Sequence, residues 1–264
     1  MAIDFADPEL IQDPYPALAE LRERGPVLWH DADRMWLAAS HATVRIVLRD
    51  RRFGRIWRDR EPAERFAPFD LLHRNQMMEH EPPVHTRLRS LVASAFARGH
   101  VTRLGPAIEA RAAELLATAG DEFDLLADFA EPLAVDVIAE LLGVPRADRH
   151  VLRPWSAAVV RMYEPARSPE TEEHALRASG EFADYMRALA ADRRREPRED
   201  LMTHLVAVRD GGDRLGDDEL VASAILLLNA GHEASVNALG GGWVALPRHP
   251  GQLARLRAAD HLRA

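Results

Sequence analysis

Apolar residues recur along most of this chain at the three- and four-residue spacing of helices facing a core. Asp13-Pro14-Tyr15-Pro16 opens a short amphipathic helix that ends near Gly25-Pro26. Residues 27–29 and 36–38 instead read as two short strands joined by a polar turn over 31–34. Residues 41–48 return to helix, with Val44, Val47 and Leu48 on one face. Residues 49–81 are charge-rich and show no period, which predicts an irregular segment. A loop of that length usually serves function.

After Pro82-Pro83 the helical pattern dominates. Leu88, Leu91, Val92 and Ala95 mark a helix over 84–96, and another covers 101–119, closed by Gly120. Residues 123–126 read as a short strand. Leu133, Val137 and Leu141 form a stripe on a helix over 127–142, stopped by Gly143 and Pro145. Further helices are expected over 146–163, 169–195 and 199–209, with a turn at Gly211-Gly212. The last long helix covers about 217–246, opened by Asp217-Asp218-Glu219, whose charge suits the positive end of the helix dipole. Its first half is apolar nearly all round, so it is expected to be buried. Gly231 lies beside Glu233 in its middle. A weak helix position next to a buried acid predicts a kink or bulge at a functional site.

Composition narrows the class. Of 264 residues, 47% are hydrophobic and 29% charged, so the chain is globular rather than disordered. The net charge of −8 argues against a nucleic-acid partner, which wants a basic face. With no cysteine, the chain has no disulfide, zinc–thiolate site or cysteine nucleophile. Its first ten residues lack the basic start and apolar run of a secretory signal, and the apolar stretch 222–228 is too short for a bilayer. The expectation is a cytoplasmic protein with no membrane partner, and one domain over 1–264.

Two clusters carry candidate chemistry. Ala230, Ala234 and Ala238 form a small-residue stripe that lets something flat approach the backbone, and Glu233 can pair with Asn237 one turn on. A tight helix–helix contact would use the same stripe. His85 and Arg89, four apart, point the same way near a helix start and suit a carboxylate or phosphate. An exposed basic face would look the same. The His-Glu pair at 232–233 lacks the second histidine of a zinc helix, and Gly240-Gly241-Gly242 follows no strand, as a phosphate loop would.

The run Glu81-Pro82-Pro83-Val84-His85-Thr86-Arg87-Leu88-Arg89-Ser90-Leu91-Val92, continuing to Ala95-Phe96, resembles the third long helix of bacterial cytochrome P450 enzymes. Ala230-Gly231-His232-Glu233-Ala234-Ser235 resembles their oxygen-binding helix. Asp13-Pro14-Tyr15-Pro16 and Leu246-Pro247-Arg248-His249-Pro250 match flanking landmarks in order. The resemblance implies a mainly α fold with a small β region near the amino terminus, truncated after the long central helix. It implies haem as cofactor, with His85 and Arg89 on its propionates and Ala230, Gly231 and Ala234 against the macrocycle. Glu233 would deliver protons. Ser235 would stand in for the family's threonine, whose position here is Ala234. Oxidation of a small apolar substrate with dioxygen follows, with a ferredoxin-type redox partner and substrate contacts from 51–81 and 146–185. The family's cysteine loop is absent, so weak haem binding and little activity are expected of this chain. The alternative is a haem-free relative that binds and stabilises a glycosyltransferase.

Overall fold

The computed structural model describes residues 3–96, 98–164, 167–209 and 212–258, without the side chains of 98–103. Its contacts group into two compact units, Met1–Arg55 and Ile56–Ala264.

In the first unit, Asp7 caps helix α1 (Pro8–Gln12) by accepting from the Glu9 amide, and α2 spans Tyr15–Arg24. Strands β1 (Val27–His30) and β2 (Met35–Ala38) pair antiparallel, with Trp29 opposite Trp36 and their rings edge-on at 5.2 Å. The buried His30 ring is bonded to the Ile3 carbonyl at 2.8 Å. Ser40 caps α3 (His41–Val47) through the Thr43 amide.

The second unit is helical. Residues 49–81 are not irregular throughout: α4 (Ala63–Arg74) and a 3-10 turn (Met77–Glu79) lie within them. Phe66, Phe69 and Leu72 bury one side of α4, while Pro68 sits in the middle of it, which hides the helix from a propensity reading. Helices α5 (Val84–Ala95) and α6 (Arg98–Thr118) follow. Residues 125–130 form a π-helical turn (Leu125–Ala130), not a strand. Asp124 caps it by accepting from the Leu126 and Ala127 amides at 2.8 and 2.9 Å. That turn runs straight into α7 (Glu131–Leu142), so the regular helix begins later than its apolar pattern suggests.

A 3-10 stretch (Arg146–Val151) leads into α8 (Leu152–Val160) and a closing 3-10 turn (Arg161–Tyr163). Helix α9 (Pro169–Arg195) starts with a Ser168 cap and a proline in its first turn. Next come α10 (Leu201–Ala207), α11 (Asp217–Arg248) and α12 (Pro250–Ala258). The expected glycine turn is seen at Gly212, with φ of 91°; Gly211 lies outside the described residues.

One continuous core joins α4, α5, α7, α8, α9, α10 and the first half of α11. Helix α11 packs most extensively on α7 and also on α9 and α4. Its first turns are buried from Leu220 to Ile225, as the apolar run predicts. Of the kink or bulge expected there, no bulge is present: the backbone is α-helical across Gly231 and Glu233. Glu233 is exposed, so no buried carboxylate strains the helix. Among the described residues, no helix is long and apolar enough to cross a membrane.

Candidate functional site

Helical repeat places Ala222, Ile225, Leu226, Asn229, Ala230 and Glu233 on one face of α11. That face is one wall of a cleft of about 180 Å³. A second wall is the end of α4 with the turn after it, through Leu72, His73, Gln76, Met78 and Glu79. The third is the end of α8, through Val159, Val160 and, in the turn that follows, Tyr163. The lining is apolar at its base, with a few polar groups converging on it, the usual make-up of a small-molecule site.

His73 organises two of these walls. Its ring is buried against both Trp57 and Phe69, with centroid distances of 4.5 and 4.0 Å. Nδ1 meets the Phe69 carbonyl at 2.8 Å, which can only accept, so Nδ1 carries the proton. Nε2 then accepts from the Tyr163 hydroxyl at 2.5 Å, tying α4 to the end of α8. Behind the stack, the Arg60 guanidinium lies 4.7 Å from the centre of the Phe69 ring. Burial holds its pKa below the usual arginine range. Asp70 is fully buried and accepts from the Arg60 amide at 3.0 Å; burial raises its carboxyl pKa. Sequence pattern singled out none of His73, Tyr163 and Asn229, although the segments 51–81 and 146–185, expected to supply substrate contacts, contain the first two.

Of the residues singled out in the sequence, Ala230 and Glu233 line the cleft, whereas Gly231, Ala234, Ser235, His85 and Arg89 do not. Gly231 faces α7: a Cβ there would sit 3.1 Å from Ile138, so the missing side chain serves helix packing. Ser235 donates to the Gly231 carbonyl at 2.8 Å, one turn back along its own helix. His232 is buried, its Nδ1 bonded to the Leu228 carbonyl at 3.1 Å. Ala230, Ala234 and Ala238 are all exposed. The expected Glu233–Asn237 pair is not formed; both side chains are exposed and unbonded among the described residues.

On α5, His85 is half-buried and Arg89 exposed, and neither side chain has a hydrogen bond or ion pair among the described residues. The arginine between them behaves differently. Arg87 pairs with Glu219 and reaches Asp213 at 3.5 Å, fastening α5 to the start of α11. The bond to Glu219 raises the Arg87 pKa. No group of three or more metal-ligating side chains occurs among the described residues.

No family model matches the chain. Individual proteins do. It is 39% identical to the cytochrome P450 monooxygenase PikC of Streptomyces venezuelae, over 93% of this chain and 59% of that protein. It is 32% identical to a cytochrome P450 of Mycobacterium bovis, over the whole of this chain and 67% of that protein. Among solved structures, P450BioI in complex with an acyl carrier protein ligated to hexadec-9Z-enoic acid superposes with a TM-score of 0.86. That match is 28% identical and covers 95% of this chain and 65% of the other. The chain therefore spans about three-fifths to two-thirds of the length of these relatives.

Proposed function

The chain belongs to the cytochrome P450 family, and on that footing we propose that it forms the substrate-binding and oxygen-side part of a haem-dependent monooxygenase acting on a small apolar molecule. The observation that carries this reading is the cleft against α11, with Glu233 and Ala230 on its wall and apolar side chains at its base. Haem, when bound, supplies the activation of dioxygen; electrons come from a separate donor, of ferredoxin type on this reading.

The donor set fits that group. Arg89 and His85 both lie in the first half of α5, and neither is engaged by another side chain among the described residues. Two uncommitted donors of this kind suit propionate carboxylates. Exposed alanines at 230, 234 and 238 leave α11 bare enough for a flat ring to approach. Gly231 contributes indirectly, by letting α11 settle against Ile138. Glu233 is the residue suited to holding and releasing a proton at the cleft wall, because its carboxylate is exposed and unbonded among the described residues. Ser235, proposed to stand in for the threonine replaced by Ala234, donates its hydroxyl to the Gly231 carbonyl, so that proton is engaged within α11.

The chain has no cysteine and offers no thiolate for the iron. We therefore expect weak haem binding and no turnover by this chain alone. Hemin titration followed by absorbance tests the assignment. The His85→Ala/Arg89→Ala variant should bind about tenfold more weakly, as expected on losing charge-assisted bonds. Equal affinity would sink the propionate roles. A thiolate-type spectrum after reduction under carbon monoxide would overturn the expectation of weak binding.

A further inference from the structure

We propose that Arg87 is the positioning residue for His85 and Arg89. Through its ion pair with Glu219 it sets how α5 is turned against α11, and so where the two donors meet the carboxylates of a flat ring lying on the α11 alanines. This rests on reading those donors as the propionate partners. Arg87 sits midway between them in the same stretch of α5. At roughly 100° per residue it points about 160° away from each, on the opposite flank of the helix. Its guanidinium spans the entry to α11. It pairs with Glu219, reaches Asp213 at 3.5 Å and donates to the Arg214 carbonyl at 3.4 Å.

The α11 end of this link is itself fixed. The other Glu219 oxygen accepts from the Gly216 amide at 2.8 Å, where the helix begins. In the same turn Asp217 pairs with Arg194 at 2.5 Å and Asp218 with Arg187 at 3.1 Å, both on α9. Each acid of that first turn thus holds an arginine from a neighbouring helix. The α5 end has little else to orient it toward α11, because α5 packs chiefly on α10 and on the 3-10 turn (Met77–Glu79). Helix α11 is unbroken from Glu219 to Ala230, about 16 Å by helical rise, so its start and its alanine face belong to one rod. A link at Glu219 therefore fixes α5 relative to that face. Both partners are partly exposed, so the pair contributes little to stability by itself.

The chain has no cysteine, so nitroxide labels attach only where cysteines are introduced. Thr86 on α5 and Asn237 on α11 are both exposed. Double electron–electron resonance between labels at Thr86→Cys and Asn237→Cys measures the α5–α11 distance without haem. With Arg87 in place the labels should give one narrow distance. Arg87→Met should broaden or displace it, and Arg87→Lys, which keeps the charge, should restore it. In hemin titration Arg87→Met and Glu219→Gln should each bind about fivefold more weakly, the upper range for a partly exposed pair. Together they should bind no more weakly than either alone. Arg87→Lys should bind within about twofold of the parent. Glu219→Gln keeps an oxygen for the Gly216 amide, and it carries the same test should Arg87→Met not fold. An unchanged distance or an unchanged hemin affinity overturns the inference, whatever happens to stability. If the His85→Ala/Arg89→Ala variant is weakened and the Arg87 and Glu219 variants are not, the propionate reading stands and Arg87 has no positioning role. If that double variant binds hemin as the parent does, the propionate reading fails and takes this inference with it.

Discussion

Arg193 sits inside α9 at 2% exposure, its guanidinium divided among three oxygen partners. It pairs with the buried Asp200, donates to the Gly143 carbonyl at 2.6 Å, and reaches Asp192 at 2.7 Å. Gly143 takes a left-handed φ of 80°, and a Cβ there would fall 2.1 Å from the Asp200 carboxylate. The turn after α7, the end of α9 and the cap of α10 thus meet on one cation. Arg193→Met keeps the bulk but leaves Asp200 buried without its partner. Such half-removed pairs cost about 3–5 kcal/mol, so the urea midpoint should fall sharply. A loss under about 1 kcal/mol would mean that Asp200 finds water or another partner. Nothing in the sequence marks this arginine, because it is one of three in a row and only packing buries the first. His85 and Arg89, by contrast, were singled out by a four-residue spacing that survives folding as a shared position on α5, and neither side chain is bonded among the described residues.

At the scale of elements, apolar spacing located the long helices well and failed where local chemistry departs from it. Helix α9 runs from Pro169 to Arg195 as expected, since its cap, first-turn proline and apolar stripe agree. Helix α4 was missed because Pro68 and the surrounding charge mask the Phe66, Phe69 and Leu72 stripe. The strand expected over 123–126 gives way at Leu125 to a π-helical turn, Leu125–Ala130, fixed by the Asp124 cap, which pattern does not weigh. The kink expected in α11 came from assuming that Glu233 is buried. One side of the helix centre lies open, and the assumption fails there. The same openness gives a prediction. Gly241 and Gly242 are helical, and a Cβ at either meets nothing within 4 Å. Gly241→Ala and Gly242→Ala should each raise stability by about 0.5–1 kcal/mol, through helix propensity and a less flexible unfolded chain. Destabilisation by either would show that another surface approaches the backbone at that point in solution.

Across the helical unit, the core is thick where α11 begins and thin where it ends. Leu220 to Ile225 are buried among α7, α9 and α4, whereas Leu239, Trp243 and Val244 are exposed, Trp243 at 66%. Leu126, exposed as well, lies against Gly240, whose missing Cβ would meet it. Several large apolar side chains close together on a surface bind hydrophobic dyes and favour association. Acrylamide should therefore quench Trp243 almost as freely as a tryptophan in an unfolded peptide. Replacing it by glutamate should lower 1-anilinonaphthalene-8-sulfonate fluorescence while leaving stability within about 0.5 kcal/mol, as expected for a surface change. Trp243 has to be judged by difference, from spectra of the parent and the variant, because the chain contains four other tryptophans. A Trp243 signal shielded from the quencher would mean that this half of α11 is covered in solution.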